Sequence, residues 1–359
     1  MTRPRRILFV HQFLGSFGGA ERYVELLLPA LRERGVEPAI VLFGTRTLDG
    51  TGHLSRVEAF APIRTEPGAT TPWGLRRALR EAEPDLLHWN MPEPFLYRGG
   101  LLAALPWGVP SVLTDHLPMM RNGLHYELVR GLVNRRLSGI ILVSESAEAE
   151  ARSHWRHLPP LAVVRNGVKV TEARLRTPPE DEPVRLLFVG RLERQKGPAA
   201  ALAALAALRD SGVPARLRFV GAGSLAPSLE REAGELALLD AVEFVGFVAD
   251  PAPQLLDAHV LLAPGEFEGL PLAPIEALAS GLPVLASDIP PHRELARECA
   301  ALRVVPVGAS GDAWAAEVQR MLPGLESLSE TAITAGELFS VDRMADGTVA
   351  AYERFFRPD

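Results

Sequence analysis

Short apolar runs alternate along the chain with longer segments in which apolar residues recur every three or four positions. An unbroken apolar run predicts a strand that is buried on both faces, whereas the longer period predicts a helix with one apolar face. Strands that alternate with helices in this way are typical of parallel sheets covered by helices on both sides. The pattern therefore predicts an α/β protein with doubly wound sheets.

The first half of the chain carries a complete set of such elements. The predicted strands are 6–11, 37–43, 86–89, 111–114, 139–144 and 162–165. The predicted helices are 19–34, 75–82, 96–105, 121–137 and 145–155. Together they predict a first domain over residues 1–170.

A second domain is predicted over residues 184–340. Residues 171–183 show no period and contain Pro178 and Pro179 before three acidic residues, which predicts an interdomain linker. The alternation then restarts with strands at 184–189, 216–220, 242–245, 260–263, 284–286 and 302–305. The helices that follow are 197–209, 226–237, 272–279, 314–321 and 344–355. Two doubly wound domains predict a ligand cleft between the carboxyl ends of their sheets.

Composition agrees with two soluble domains. A length of 359 residues suggests two domains, and 47% hydrophobic residues can fill two cores. The single cysteine, Cys299, excludes an internal disulfide and fits a reducing compartment. No apolar run reaches the roughly 18 residues that a membrane span needs. We therefore expect a cytoplasmic protein.

The net charge of −6 is divided unevenly between the two halves. Residues 1–177 hold 23 basic and 17 acidic residues, a net of +6, and the rest hold 15 and 27, a net of −12. A basic first half suits an anionic partner there, such as a phospholipid surface or a phosphorylated acceptor. Charge scattered over solvated helix faces explains the balance equally well. The basic runs lack interleaved aromatic residues, which argues against nucleic acid as a partner.

Glu268 and Glu276 lie eight residues apart, just after the apolar run 259–263. The pattern predicts a strand that ends near Ala263, a loop that carries Glu268, and a helix from Leu272. Backbone N–H groups at a helix start suit a sugar or phosphate oxygen, and carboxylates suit sugar hydroxyls. The segment favours a site for a polyhydroxyl ligand, with an ordinary loop and an exposed Glu as the alternative.

A second segment, 186–197, predicts a strand, a turn and a helix with Arg191 and Lys196 in the turn. Lys196 is one of only two lysines among 38 basic residues, which indicates a specific need for an ammonium group. Two cations beside a helix N-terminus are suited to binding a diphosphate.

Both segments resemble motifs of family 4 glycosyltransferases. The donor element E-G-x-x-L-x-x-x-E-A is matched at Glu268, Gly269, Leu272, Glu276 and Ala277, and the phosphate element G-R-L-x-x-x-K-G is matched in full from Gly190. The resemblance implies catalytic roles for His116, Glu268, Arg191 and Lys196. It implies donor-binding roles for Gly18, Gly19, Arg191, Lys196, Gly221, Gly246, Phe247, Val248, Glu268, Gly269, Leu270, Pro271, Leu272 and Glu276. For Gly221 and Gly223, ordinary turns are an equal alternative.

The first domain carries further matches to this family. Gly18 and Gly19 stand in G-G-A-E-R after the first strand, and this wording is not the G-x-G-x-x-G of dinucleotide-binding dehydrogenases. His116 closes a T-x-H motif, in which the resemblance places it near the donor sugar, with Asp115 as a candidate partner. His88 is expected to be structural. Lys169 stands where the family's N-G-V-D turn has an aspartate.

The resemblance implies two Rossmann-like domains that face a cleft, the GT-B fold, with the first domain on the acceptor side and the second binding the donor. Segment 341–359 is expected to cross back to the first domain. The implied enzyme is a retaining glycosyltransferase that moves a sugar from a nucleotide-diphosphate sugar to a hydroxyl acceptor, in a cell-envelope glycan, a lipid-linked molecule or a small molecule. No metal or other cofactor is expected. A nucleotide-sugar epimerase and a non-catalytic nucleotide-sugar-binding protein are the alternatives. Arg121, Arg130, Arg135 and Arg136 are candidates for peripheral membrane contact.

Overall fold

The protein consists of two α/β units. The computed structural model describes residues 4–13, 18–44, 52–61, 63–64, 72–91, 108–117, 130–169, 172–179 and 182–356. One unit comprises Met1–Gly167 with Val341–Asp359, and the other comprises Val168–Ser340. The predicted helix 96–105 and the part of helix 121–137 before residue 130 lie outside the described residues.

The first unit contains a parallel sheet of seven described strands in the order β3-β2-β1-β4-β5-β6-β7. The strands are β1 Arg6–Phe13, β2 Glu37–Gly44, β3 Ile63–Arg64, β4 Leu86–Met91, β5 Ser111–Asp115, β6 Gly139–Leu142 and β7 Leu161–Val163. The helices are Gly19–Glu33, His53–Glu58, Pro72–Ala82, Glu145–His154 and Val341–Phe355, and residues 130–134 are also helical.

Both faces of this sheet are covered. Successive residues of a strand point to opposite faces, so β1 sends Ile7 and Phe9 into one core cluster and Leu8 and Val10 into another. This double burial explains why the strands read as unbroken apolar runs. In parallel register His11 of β1 lies beside Asn90 of β4, which brings polar residues to the carboxyl edge of the sheet.

The closing helix Val341–Phe355 belongs to the first unit, where the sequence places it. Tyr352 is buried, and its hydroxyl lies 2.5 Å from Nδ1 of His88 in β4. A Cβ on Gly139 would overlap the ring of Phe355, so the helix packs directly against the start of β6. Arg34 binds Asp346 at 2.6 Å on the surface of the same unit.

The second unit contains a parallel sheet of six described strands in the order β10-β9-β8-β11-β12-β13. They are β8 Val184–Val189, β9 Ala215–Val220, β10 Val242–Gly246, β11 Val260–Ala263, β12 Val284–Ser287 and β13 Leu302–Val305. The helices are Pro198–Asp210, Ala226–Glu235, Ala252–Asp257, Leu272–Ala279, Pro290–Glu298, Gly311–Met321 and Leu325–Gly336. Single 3-10 turns span Arg194–Lys196, Leu322–Gly324 and Glu337–Phe339.

The predicted linker 171–183 needs a correction over its described part. Residues 172–179 belong to the second unit, and Arg176 is buried there with 3% of its surface exposed. Its guanidinium donates to the carbonyl oxygens of Ala258 at 2.9 Å, Leu255 at 2.9 Å and Ser280 at 3.3 Å. Residues 172–179 form neither helix nor strand, but this buried arginine fixes the segment to the unit.

Candidate functional site

The second unit brings most of the predicted donor-binding residues to one edge of its sheet. Gly221 follows β9, Arg191 follows β8, Glu268 lies in the loop after β11, and Gly246 ends β10. These four strands are neighbours in a parallel sheet, so their carboxyl ends lie side by side. Ligands of open α/β sheets bind at this edge.

Gly197 allows the loop after β8 to reach the end of β11. It has a φ of +64°, which favours glycine, and a Cβ there would overlap the carbonyl oxygen of Pro264. The contact is reinforced by Gln195, whose side-chain amide donates to the Phe267 carbonyl at 3.0 Å and whose own carbonyl accepts from the Glu266 amide at 2.9 Å. Two loops distant in sequence are thereby held against each other.

The two loops carry an ion pair between the predicted phosphate-binding lysine and the predicted sugar-binding carboxylate. Nζ of Lys196 lies 2.5 Å from Oε1 of Glu268, and their side chains are 26% and 10% exposed. Partial burial strengthens such a charge-assisted bond relative to one in water. Arg191 lies exposed in the same loop as Lys196, and its guanidinium donates to the side-chain carbonyl of Gln195 at 3.2 Å. Arg191, Lys196 and Glu268 thus lie within this loop pair.

Glu276 lies in the second turn of the helix Leu272–Ala279, which begins directly after Pro271. Its side chain is half-buried, and Gly269, Leu270 and Pro271 are buried between it and Glu268. The predicted helix bounds for this segment are confirmed. The chain therefore places one carboxylate in the loop and one on the helix that follows.

Gly221 allows close contact between the ends of β8 and β9. Its φ is +138°, and a Cβ there would overlap the carbonyl oxygen of Gly190. Its amide donates to the Gly246 carbonyl at 2.8 Å, which extends the close approach to β10. Beyond Gly246, Phe247 is 38% exposed and Val248 is half-buried. This is a surface of glycine backbone with one exposed aromatic ring.

His292 supports the Glu268 loop and was not predicted from the sequence. It is 1% exposed, its Nδ1 donates to the Ser287 carbonyl at 2.8 Å, and the Ser287 hydroxyl donates to the Gly265 carbonyl. Burial lowers the pKa of His292, so the ring is neutral at pH 7. His292 thereby holds the base of the loop that carries Glu268.

In the first unit, Gly18 immediately precedes the helix Gly19–Glu33. Its amide donates to Oε2 of Glu21 at 2.9 Å. A ligand oxygen that binds this amide therefore has to displace the Glu21 carboxylate.

His116 is half-buried just after β5. Its Nε2 lies 2.7 Å from Oδ1 of Asn90, and its ring meets Tyr23 edge to face with centroids 4.7 Å apart. Burial lowers the pKa of His116 to about 4, which leaves the imidazole neutral at pH 7. Asp115 does not partner His116, since its carboxylate is buried in an ion pair with Arg130 at 3.1 Å.

The other first-unit candidates separate into core and surface residues. His88 is fully buried between the Thr114 hydroxyl at 2.7 Å and Tyr352, in keeping with a structural role, and burial lowers its pKa to about 3. Arg130 is 1% exposed, so its predicted membrane contact is wrong. Arg135 and Arg136 are exposed, and Arg121 lies outside the described residues.

A chain of buried polar side chains extends behind His116, and it was also not predicted. His11 lies 2.9 Å from Nδ2 of Asn90, and Nε2 of His11 lies 3.3 Å from Nε2 of His53. Nδ1 of His53 lies 2.8 Å from Oε1 of Glu25. A sequence signal existed, because His11 and Asn90 are polar residues near the carboxyl ends of apolar strands.

Within the described part of the chain, no helix combines the length and apolar character needed to cross a bilayer. The same residues contain no group of three or more His, Cys, Asp or Glu side chains arranged to hold a metal ion.

Comparison with known proteins supports the sequence resemblance. Residues 17–172 match the model of Glycosyltransferase Family 4, and residues 170–335 match that of Glycosyl transferases group 1. A GDP-mannose-dependent alpha-(1-6)-phosphatidylinositol dimannoside mannosyltransferase of Mycobacterium tuberculosis is 43% identical over 110 residues, 29% of this chain and 28% of that protein. A GDP-mannose-dependent alpha-mannosyltransferase of the same organism is 29% identical over 337 residues, 86% of this chain and 85% of that protein.

Solved structures agree on the fold. Anabaena Alr3699/HepE in complex with UDP and glucose aligns with a TM-score of 0.79 at 20% identity, over 97% of this chain and 99% of that one. The pneumococcal O-GlcNAc transferase GtfA in complex with UDP and GlcNAc aligns with a TM-score of 0.82 at 10% identity, over 99% and 100%. The expected GT-B fold is confirmed. The two family models together cover residues 17–335, so the chain belongs to the group 1, family 4 glycosyltransferases.

Proposed function

We propose that the protein is a retaining glycosyltransferase that moves a hexose from a nucleoside-diphosphate sugar to a hydroxyl acceptor. The observation that carries this proposal is the 2.5 Å pair between Lys196 and Glu268. Sequence patterns assigned one residue to phosphate and the other to sugar, and the fold joins them although they are 72 positions apart. In a nucleoside-diphosphate sugar the phosphate is bonded directly to the sugar, so adjacent phosphate-binding and sugar-binding side chains suit this kind of donor.

The pair is the resting form of the donor site. When a diphosphate enters, its oxygens replace the Glu268 carboxylate as the partner of Lys196. Glu268 is then free to accept hydrogen bonds from hydroxyls of the sugar. Negative charge grows on the leaving phosphate oxygen as the glycosidic bond breaks, and Lys196 and Arg191 stabilise it.

The nucleoside lies beyond the phosphates, over the backbone at Gly221 and Gly246. Glu276 binds the ribose, because one carboxylate can accept protons from two neighbouring hydroxyls. The exposed ring of Phe247 offers a contact for the base.

GDP-mannose is the first donor to test, because the names of two relatives specify it, and UDP-glucose is the second, because a similar fold was solved with UDP and glucose. We propose transfer without a metal, because fixed cations supply the charge. Retention follows from departure and attack on the same face of the sugar, since the Glu268 carboxylate is committed to Lys196 in the resting site and then to sugar hydroxyls.

The acceptor is a hydroxyl compound, and an anionic or lipid-linked one fits the positive charge of residues 1–177. Peripheral binding at the inner face of the membrane would use the same charge. Flotation with vesicles of neutral lipid and of one-third anionic lipid tests this part, with capture by the anionic vesicles alone as the expected result. Equal absence from both vesicle fractions would discard it.

Release of nucleoside diphosphate tests the activity. The protein is incubated with each donor, alone and with hexose, alkyl hexoside or phosphoinositide acceptors, and the product is examined by proton NMR. We expect acceptor-dependent release from one donor and a product with the donor's anomeric configuration. Epimer formation without acceptor would point instead to an epimerase. Donor binding with no turnover on any acceptor would favour a non-catalytic binding protein.

A further inference from the structure

The polar chain behind His116 is built from elements of the first unit only. It comprises Asn90, His11, His53 and Glu25, from β4, β1 and the two helices Gly19–Glu33 and His53–Glu58. The first three are completely buried, and the side chain of Glu25 is 7% exposed. Buried polar groups of this kind persist only when each donor meets an acceptor, so the direction of every bond is constrained.

The amide of Asn90 fixes the direction at one end. Its nitrogen donates to the Ala20 carbonyl at 3.4 Å and to Nδ1 of His11 at 2.9 Å. Since a carbonyl can only accept, the nitrogen must face that side, and Oδ1 must face Nε2 of His116. His116 therefore carries its proton on Nε2. Nδ1 of His11 also lies 3.4 Å from the Asn90 backbone carbonyl, but the shorter 2.9 Å contact with the Asn90 amide nitrogen makes it an acceptor.

The carboxylate of Glu25 lies at the other end of the chain. It accepts from Arg56 at 2.8 Å, lies 3.9 Å from Arg22, and lies 2.8 Å from Nδ1 of His53. Because Nδ1 of His11 is the acceptor, the proton of a neutral His11 is on Nε2, which donates to Nε2 of His53 at 3.3 Å. Nδ1 of His53 is then the donor to Glu25, so the Glu25 end agrees with the order set by Asn90. Burial also lowers the pKa of His11 to about 3, which agrees with a neutral His11.

We propose that Asn90, His11, His53 and Glu25 are positioning residues that hold His116 in the Nε2–H tautomer and leave its Nδ1 as a hydrogen-bond acceptor. Within the described residues, Nδ1 of His116 has no hydrogen-bond partner. The effect of this tautomer on turnover rests on the proposed function, whereas the tautomer itself does not. In this arrangement Glu25 acts on His116 through three intervening side chains.

Long-range proton–nitrogen NMR of protein with ¹⁵N-labelled histidine measures the tautomers directly at pH 7. We expect the proton on Nε2 in His116 and His11 and on Nδ1 in His53, with signals assigned through single His→Gln variants. A proton on Nδ1 of His116 in the wild-type protein would overturn the proposal. The tautomers are measured in the wild-type protein and need no enzyme activity. A failure of this proposal is therefore distinguishable from a failure of the proposed function.

Glu25→Gln tests the far end of the chain, with Glu33→Gln as the control because Glu33 is an exposed glutamate of the same helix. In the Glu25 variant we expect His116 to populate both tautomers. We also expect kcat to fall about tenfold with little change in donor KM, the size of effect seen for groups that orient a functional histidine indirectly. The control should keep the single His116 tautomer and the wild-type kcat. An unchanged His116 spectrum in a folded Glu25→Gln protein would contradict the role of Glu25. If that variant does not fold, the histidine tautomers of the wild-type protein still test the proposal.

Discussion

Replacement of Lys196 by alanine probes the ion pair at the centre of the proposed donor site. The change removes the ammonium group 2.5 Å from Glu268 and leaves the backbone of the turn unchanged. Lys196 ends a 3-10 turn whose attachment to β11 is made by Gln195 and Gly197, and neither contact uses the lysine side chain. The variant therefore separates charge from fold.

The expected effects on rate and on stability differ in size. Removal of one fixed group that stabilises charge in a transition state costs about 10²–10³ in kcat, or about 3–4 kcal/mol. The pair is partly exposed, so its loss lies between the limits for surface and buried ion pairs, at about 1–2 kcal/mol of folding free energy. That is less than the ~5–15 kcal/mol by which domains are usually stable. Activity should collapse while the protein stays folded.

Donor turnover and urea denaturation are measured together for Lys196→Ala and Lys169→Ala. Lys169 is the only other lysine and is exposed, so it controls for the loss of one ammonium group. We expect a loss of 10²–10³ in kcat for the first variant and near wild-type values for the second, as order-of-magnitude effects. Turnover of Lys196→Ala within about threefold of wild type would refute the role of this cation.

Three further outcomes follow from the same structure. Arg176→Met should lower the free energy of unfolding by about 3 kcal/mol because it leaves buried carbonyl oxygens without a donor, whereas exposed Arg216→Met should change it by less than about 0.5 kcal/mol in urea denaturation. Burial holds the pKa of His11 and His88 to about 3 and that of His116 to about 4, all below the ordinary 6.5. Stability from these groups falls as the unfolded chain gains protons below pH 6.5, with a slope approaching roughly 4 kcal/mol per pH unit, and the loss ends only at about pH 3, the folded pKa of His11 and His88. Equal stability at pH 7 and pH 5 would contradict this. Excess chelator should leave donor turnover unchanged, and a loss restored by Mg²⁺ or Mn²⁺ would show that a metal is required.

The sheets were predictable because strands buried on both faces must be apolar throughout. The predicted strands 184–189, 260–263 and 302–305 match the structure end to end. Ile63–Arg64 was missed because two residues make no run. The helices His53–Glu58 and Pro290–Glu298 were missed because one is short and the other begins with two prolines and carries many charges.

The linker prediction failed for a physical reason. An arginine among prolines and acidic residues looks solvated in sequence, and the carbonyl oxygens that bury Arg176 come from Leu255, Ala258 and Ser280, some eighty to a hundred positions away. The sequence of the segment itself gives no sign of these distant carbonyl oxygens.

The candidate site was predictable only where residues lie close together in sequence. Lys196 and Glu268 each stand in a motif whose turn chemistry is visible locally. The polar side chains from His116 to Glu25 come together because β1, β4 and β5 are neighbours in the sheet. The apolar pattern of the sequence does not determine this strand order. Asp115 was assigned to His116 because it is adjacent in sequence, but neighbouring strand residues point to opposite faces, and Asp115 meets Arg130 instead.

Thermal stabilisation by nucleotides tests the central claim, a donor site in the second unit, most directly. Melting is followed with GDP, UDP, ADP, TDP and their common sugars for the wild type, for Glu276→Ala and for Glu230→Ala, an exposed helical control. A ligand at 100 times its Kd adds about 2.7 kcal/mol, or about 5–10 °C for a unit of this size. We predict such a shift with one base series, lost in Glu276→Ala and kept in Glu230→Ala. No shift with any nucleotide, or an equal shift in both variants, would contradict the proposed donor site.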